Sequence, residues 1–256
     1  MLIEFIGCTG AGKTTLVKGV KDRLLSLGLD AISSTHFIAE TTGTYWIKSE
    51  RLQNVALSFI LCPWFIKAFR FYRSYIFFAL RTICCNTTPI LDRVNRIRHV
   101  VRLLGGNELL RGSCQGNRFV LIDEGAIGSA HHVLVGIHHS PMEEDILTFA
   151  NLVPIPDLVI HVDTPVRIAL ERTLRRPDPP IGIKSVTLVE EFIKHGRDVF
   201  EIFSGHRNLD GRFMTVTNRT QKPKKIDLLV DQIVEFILTR ISHRNIRTQF
   251  KDRSKD

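Results

Sequence analysis

Met1-Leu-Ile-Glu-Phe-Ile6 runs directly into Gly7-Cys-Thr-Gly-Ala-Gly12-Lys13-Thr14, and this opening stretch decides the fold. The apolar run stops at Gly7, and from Thr14 onward Leu16, Val17, Val20, Leu24 and Leu27 recur at helical spacing, so the stretch reads strand, glycine loop, helix. The loop matches G-x-x-x-x-G-K-[ST] in full and in the strand-to-helix context that the pattern requires. Its glycines let the backbone wrap closely, so that loop N–H groups and the helix N terminus can cradle phosphates. Gly7, Gly10, Ala11, Gly12, Lys13, Thr14 and Thr15 are therefore the expected nucleotide-binding residues, with Lys13 reaching the β and γ phosphates and Thr14 ligating Mg²⁺. The competing reading is a chance glycine-rich turn before a helix.

Working outward, Gly28 closes the first helix as a C-cap, and Leu29 to Ser33 reads as a second strand leading into polar Ser34-Thr35-His36. Residues 50–61, 63–83 and 91–111 read as helices separated by Pro63 and by Asn86-Thr-Thr-Pro89. Two compact apolar runs that end in an acid, Phe119 to Asp123 and Asp157 to Asp163, read as strands, and Phe213 to Thr217 as a fifth. A long amphipathic helix is expected from about Lys225 to Ile241. Strands alternating with helices predict an α/β protein: a P-loop NTPase fold with a mostly parallel five-stranded sheet, helices on both faces and a helical insert. One domain over 1–242 is expected, with the insert at about 48–118, an arginine-bearing lid at about 172–186 and a flexible basic tail over 243–256. Ligands of such sheets sit at the carboxyl ends of the strands, where these motifs fall.

At 256 residues, with 44% hydrophobic and 24% charged residues, the chain is neither a disordered segment nor a polytopic membrane protein. Its net charge of +9 is confined to residues 48–118, since the segments on either side balance. One electropositive region facing an anionic ligand or surface is expected, rather than a uniformly basic protein. The opening residues lack the pattern of a secretion signal, and the five cysteines are odd in number with no C-x-x-C pair. Both features predict a reducing cytoplasm, with or without docking at the inner face of the membrane.

Asp123 closes its strand where an acid that orders Mg²⁺ would stand, and Glu124 adjoins it; a helix N-cap is the other role for such a carboxylate. After Asp163-Thr-Pro165, Arg172 and Arg176 lie one helical turn apart with Arg175 beside them. They can converge on an anion, or form a solvated basic face partnered by Glu171.

Gly7 to Thr14, Asp123, and the segment from Asp157 through Asp163-Thr-Pro-Val-Arg to Arg172 and Arg176 together resemble the thymidylate kinase-like branch of the P-loop nucleoside and nucleotide kinases. The resemblance implies MgATP as phosphoryl donor, held by Lys13 and Thr14 with Asp123 near the metal, and Arg172, Arg175 and Arg176 as lid arginines. Lys13, Asp123, Glu124, Arg172 and Arg176 are then the candidate catalytic residues. In that family an Asp-Arg pair follows the third strand and Arg-Glu-Pro follows the second. Here those places read Asp123-Glu124-Gly125 and Ser34-Thr35-His36-Phe37. A carboxylate repels an acceptor phosphate, whereas a hydroxyl acceptor must lose a proton that a carboxylate beside the metal can take. The acceptor stays open between a nucleoside monophosphate and another small compound.

Within the insert, Lys67, Arg70, Arg73 and Arg81 project onto a third of one helix, with aromatic residues over the remainder. Residues 63–83 could thus form a peripheral membrane contact, or pack their aromatic face on the core. Cys84-Cys85 is expected as two buried small residues, with acylation as the alternative. His131, His132, His138 and His139 share a segment, but no Cys or carboxylate stands at ligand spacing. The basic segment carries no nucleic-acid-binding signature, so no nucleic acid partner is expected; a homodimer is left open. The alternative to an enzyme is an NTP-binding switch that engages a partner or membrane through the insert, although no guanine-reading Asn-Lys-x-Asp occurs.

Overall fold

The structure, a computed structural model, describes residues 1–47, 49–85, 89–113, 118–136, 140–176, 185–220 and 222–253, with only the backbone described at residues 50, 51 and 242–253. Five strands, β1 (Leu2–Ile6), β2 (Ala31–Ser33), β3 (Phe119–Ile122), β4 (Leu158–Asp163) and β5 (Phe213–Thr217), form one sheet in the order β2-β3-β1-β4-β5. Every pairing is parallel, with Leu2 opposite Val120 and Ile3 opposite Leu158. All residues of β1 and β3 are buried, as the near-continuous apolar runs of a sheet covered on both faces require. With a phosphate-type loop leaving central β1, this is the expected P-loop NTPase fold.

Helix α1 (Lys13–Ser26) buries Leu16, Val17, Val20 and Leu24 and ends before Gly28, whose φ of +75° reverses the chain. The polar Ser34-Thr35-His36 link turns out to open α2 (Ser34–Thr41), because the hydroxyl of Ser33 accepts the backbone N–H of His36 at 3.4 Å and caps it. Three helices then build the insert: α3 (Glu50–Ile60), capped by Ser49; α4 (Cys62–Cys85), with Pro63 in its first turn; and α5 (Ile90–Ser113). Short α6 (Ala130–Val133) and α7 (Glu143–Leu152) precede β4; α8 (Val166–Leu174) and α9 (Val186–Ser204) precede β5; and α10 (Pro223–Arg253) closes the chain. The last helix continues well past Ile241, where the apolar pattern fades.

One face of the sheet, through Ile3, Phe5 and Ile160, packs on α1 and α10 by way of Val20, Leu24, Ile233 and Ile237. The other, through Ile6 and Val159, packs on Tyr75 of α4, Leu104 of α5, Phe149 of α7 and Phe200 of α9. The insert is therefore wedged against the sheet by its inner residues. Cys84 and Cys85, expected buried, are exposed at the end of α4, where the helix has run beyond its contacts with the core.

Candidate active site

The loop after β1 is held open by its glycines. Gly10 and Gly12 have φ of +79° and +92°, a region costly for any side chain, and a Cβ on Gly12 would lie 2.6 Å from Asn218 Nδ2. The loop hangs from the Ala11 carbonyl, which accepts from Thr164 Oγ1 at 3.1 Å, Arg172 Nη1 at 3.2 Å and Asn218 Nδ2 at 2.8 Å. No side chain caps α1 and no acid stands in its first turn, so its positive end is left for an anion. Lys13 folds across the loop, Nζ donating to the carbonyls of Gly7 at 2.8 Å and Cys8 at 3.1 Å. Burial lowers its ammonium from the usual lysine value, while Glu124 and Asp123 pull the other way.

Beside the loop lies a cavity of about 360 Å³ between the start of α1, the end of α8 and the β5–α10 connection. Thr15, Leu16, Arg176 and Ile226 line it along with Gly10 and Gly12. Arg172 closes its floor: besides Ala11, its guanidinium donates to Thr220 O at 2.7 Å and Asn218 Oδ1 at 3.3 Å. A small pocket with apolar walls and a rim of polar groups, opening onto a phosphate-type loop, has the dimensions and chemistry to take a nucleoside.

On the opposite side of the loop, Thr14 Oγ1 donates to Asp123 Oδ2 at 3.5 Å. Burial and the neighbouring Glu124 raise the Asp123 carboxyl above its ordinary range. This hydroxyl and carboxylate are the donor set that Mg²⁺ uses when it arrives on a nucleotide, because that ion keeps waters and phosphates as most of its ligands. Among the described residues no cluster of three or more His, Cys, Asp or Glu could hold a metal by itself.

Glu124 stands next to this pair. Arg102, from the middle of α5, donates to Glu124 Oε2 at 3.0 Å and to Asn54 Oδ1 of α3 at 2.9 Å, and contacts His99 Nδ1 at 3.2 Å. Desolvation works to raise Glu124, but Arg102, with help from Lys13, outweighs it, and the carboxyl is held below its ordinary value. Its side chain is 62% exposed, so the carboxylate is presented outward rather than sealed in. The imidazoles of His99 and His132 stack at 4.2 Å beneath Arg102.

Neither a family model nor a curated protein matches the sequence. Among solved structures, the chain is similar to shikimate kinase from Acinetobacter baumannii in complex with shikimate, at 18% identity over 93% of each chain with a TM-score of 0.40. It is also similar to deoxyadenosine kinase from M. mycoides. The form with bound dATP gives 15% identity over 91% of this chain and 98% of that one, TM-score 0.47. The form with the products dCMP and dCDP gives 16% over 93% and 100%, TM-score 0.48. Likeness at this level says nothing of what the present chain acts on; the fold stands on its own strand order and loop.

The structure thus brings Lys13, Thr14, Asp123 and Glu124 to one place and puts Gly10, Gly12, Thr15 and Arg176 on the cavity. Arg172, expected in the lid, is instead the clamp between the loop and the β5–α10 connection, because α8 packs directly beneath the loop. Arg175 points into an ion pair with Glu171 at 2.5 Å, the partner weighed for the basic face, and does not line the cavity. The rest of the expected lid, residues 177–184, lies outside the described residues, as do His138 and His139. His131 Nε2 contacts Gly7 O at 3.2 Å, and His132 belongs to the stack with His99.

Three contributors escape a motif search. Asn218 and Thr164 immediately follow β5 and β4, and their position at strand ends is the signal that could have found them. The third, Glu4, is 1% exposed in the middle of β1 and accepts the Gly128 N–H at 2.7 Å, pinning the loop that follows Asp123 and Glu124. Burial raises its carboxyl to about 7 despite the amides of Gly128, Ile127 and Gly125.

Proposed function

We propose that the protein is an ATP-dependent phosphotransferase that moves the γ-phosphoryl group of MgATP to a hydroxyl of a small acceptor bound between Glu124 and helices α3 and α5. The observation that carries this reading is the Glu124 carboxylate, ionised and outward-facing, beside the Thr14–Asp123 pair and held in place by Arg102.

In this reading the base and ribose of ATP take the cavity floored by Arg172, and the triphosphate lies along the loop amides and the N terminus of α1. Lys13 leaves its carbonyl partners for the β and γ phosphates, where a cation offsets charge developing in the transition state. Bound Mg²⁺, held by Thr14 and Asp123, supplies charge neutralisation at the phosphates. Glu124 orients the acceptor hydroxyl and takes its proton as the new O–P bond forms. The bond from the γ phosphorus to the β–γ bridging oxygen breaks, and ADP departs with that electron pair. A phosphate on the acceptor would meet this carboxylate at close range, so a hydroxyl compound fits better than a nucleoside monophosphate attacked through its phosphate. Thymidylate kinase-like specificity, which the sequence suggests, is the competing acceptor class.

The test is γ-labelled ATP offered with a panel of nucleosides, other small hydroxyl compounds and nucleoside monophosphates. Label transfer to a hydroxyl, lost in Glu124→Gln, supports the proposal. Transfer only to monophosphates transfers the reading to nucleotide kinases, and slow release of inorganic phosphate with no acceptor favours a nucleotide-dependent switch.

A further inference from the structure

The outer face of α4 has no part in the phosphoryl transfer just described. Ile66, Phe69 and Phe77 are 71%, 41% and 61% exposed there. At 100° per residue they fall within about a third of the circumference that also holds Arg70, Arg73 and Arg81. Phe69 and Phe77 are eight residues apart, roughly 12 Å along a straight helix, yet their rings meet edge to face at 5.8 Å. The break in helical geometry at Tyr72, with φ of −119° and ψ of 27°, lies between them. On α3, Phe59 is 72% exposed as well.

The arginines on this face are unspent. Arg70, Arg73 and Arg81 have no acidic partner among the described residues, whereas Lys67 at the edge of the face is paired with Glu108 at 3.0 Å. They belong to the segment that carries the whole positive excess of the chain. The inner face is committed to protein, with Tyr75, Ile76, Ala79 and Ile83 at 2% exposure or less. Among the described residues no single helix is long and apolar enough to cross a membrane. The α3–α4 pair, bent by 57°, passes that test only as a pair, and its inner half is already buried.

We infer that this face docks on an anionic lipid bilayer. The three apolar side chains enter the boundary between headgroups and acyl chains, and the three arginines sit at lipid phosphates. A second copy of the chain fits less well, because a twofold contact here would oppose arginine to arginine without a counter-charge. A nucleic acid fits less well because stacked bases need open aromatic faces, whereas Phe69 and Phe77 pack edge to face on each other and Ile66 offers only hydrocarbon.

The experiment is co-sedimentation of the full-length protein with vesicles of phosphatidylcholine alone and of an equal mixture of phosphatidylcholine and phosphatidylglycerol. Two variants accompany it: Arg70→Gln/Arg73→Gln/Arg81→Gln and Phe69→Ser/Phe77→Ser. Retained helix content and MgATP affinity in both variants show that the fold stands. Wild type should bind the mixed vesicles, weaken with added salt and bind phosphatidylcholine alone far less. The arginine variant should lose on the order of a hundredfold in partition, about fivefold per basic residue near an anionic surface. The phenylalanine variant should also lose binding, but keep the salt dependence of what remains. The proposal is overturned by wild type that ignores mixed vesicles, by binding that both variants leave intact, or by a dimer or oligonucleotide complex that forms through this face in place of lipid association. None of these outcomes depends on whether the phosphoryl acceptor has been found.

Discussion

The phosphate loop and the helical insert differ in how their polar groups are occupied. Around the loop, backbone carbonyls and side chains are bound to one another several times over, with Ala11 O taking three donors and Arg172 reaching both walls of the cavity. In the insert, Arg102 ties together three groups from α3, α5 and the end of β3, and Arg96 and Arg111 are likewise bound, while Arg70, Arg73 and Arg81 project from α4 with no acidic partner among the described residues. A triphosphate tail is the same in every nucleotide, so its site can be rigid backbone. The proposed acceptor side is assembled from separate helices, and in that proposal its chemistry rests on a few side chains.

The sharpest way to break this contrast is Glu124→Gln. Acceptor-dependent transfer should fall by about 10²–10⁴-fold, the usual contribution of a positioned acid–base group, while MgATP affinity stays within about twofold. A steady-state assay beside a binding titration checks it. Equal losses in both would show that Glu124 belongs to the nucleotide side.

Stability against pH compares the two regions next. His131 beside the loop and His99 in the insert are both held to about 4, first by burial and then by nearby cations, Lys13 for His131 and Arg102 for His99. His161 in β4 is likewise held to about 4, by burial. Each stays neutral in the fold while the unfolded chain protonates near 6.5, so their contribution is present above pH 6.5 and is lost as pH falls toward 4. For His161, 5% exposed, this amounts to about 3 kcal/mol. Glu4 works in the opposite direction, because its raised carboxyl stabilises the fold below pH 4.5 and that contribution is lost as pH rises through about 7. Several histidines outweigh the raised carboxyls of Glu4 and Asp123, so urea midpoints should rise from pH 4 to 6.5, and rise more steeply in Glu4→Gln. A flat profile would mean that these imidazoles are not buried neutral.

Arg172→Ala should act on the loop region alone. Removing the clamp should cost about 2 kcal/mol of stability and weaken MgATP roughly tenfold, with little change in apparent affinity for the acceptor. Arg175→Ala is the smallest expected effect: an exposed pair with Glu171 contributes on the order of 0.3–0.5 kcal/mol, and the KM for ATP should move by about twofold or less.

The same contrast explains what the sequence made legible. Gly7 to Thr14 could be read because the path of the loop is local, set by positive φ at Gly7, Gly10 and Gly12, although the groups that a side chain there would strike, such as Asn218, lie far along the chain. The five strands and the parallel character of their sheet followed from apolar runs alternating with helical spacing, whereas the strand order did not. The contacts of Arg102 with Glu124 and Asn54 could not be read, since they depend on the register of α5 against β3 and α3, which no periodicity fixes. Arg172 was legible as a cation near the anion site, but its role as clamp required knowing that residues 218–220 stand across from it. Glu4 was visible as an acid inside an apolar strand, yet its meaning needed the turn at Gly125 to Gly128, 124 residues away.

The most direct measurement is calorimetric titration of MgATP into the full-length protein and into Lys13→Ala. The account predicts saturable one-to-one binding to wild type, with a dissociation constant in the range of about 1 μM to 1 mM that nucleotide enzymes use, weakened at least about tenfold by the substitution. No heat of binding for any nucleoside triphosphate, or equal affinity in the variant, would contradict it.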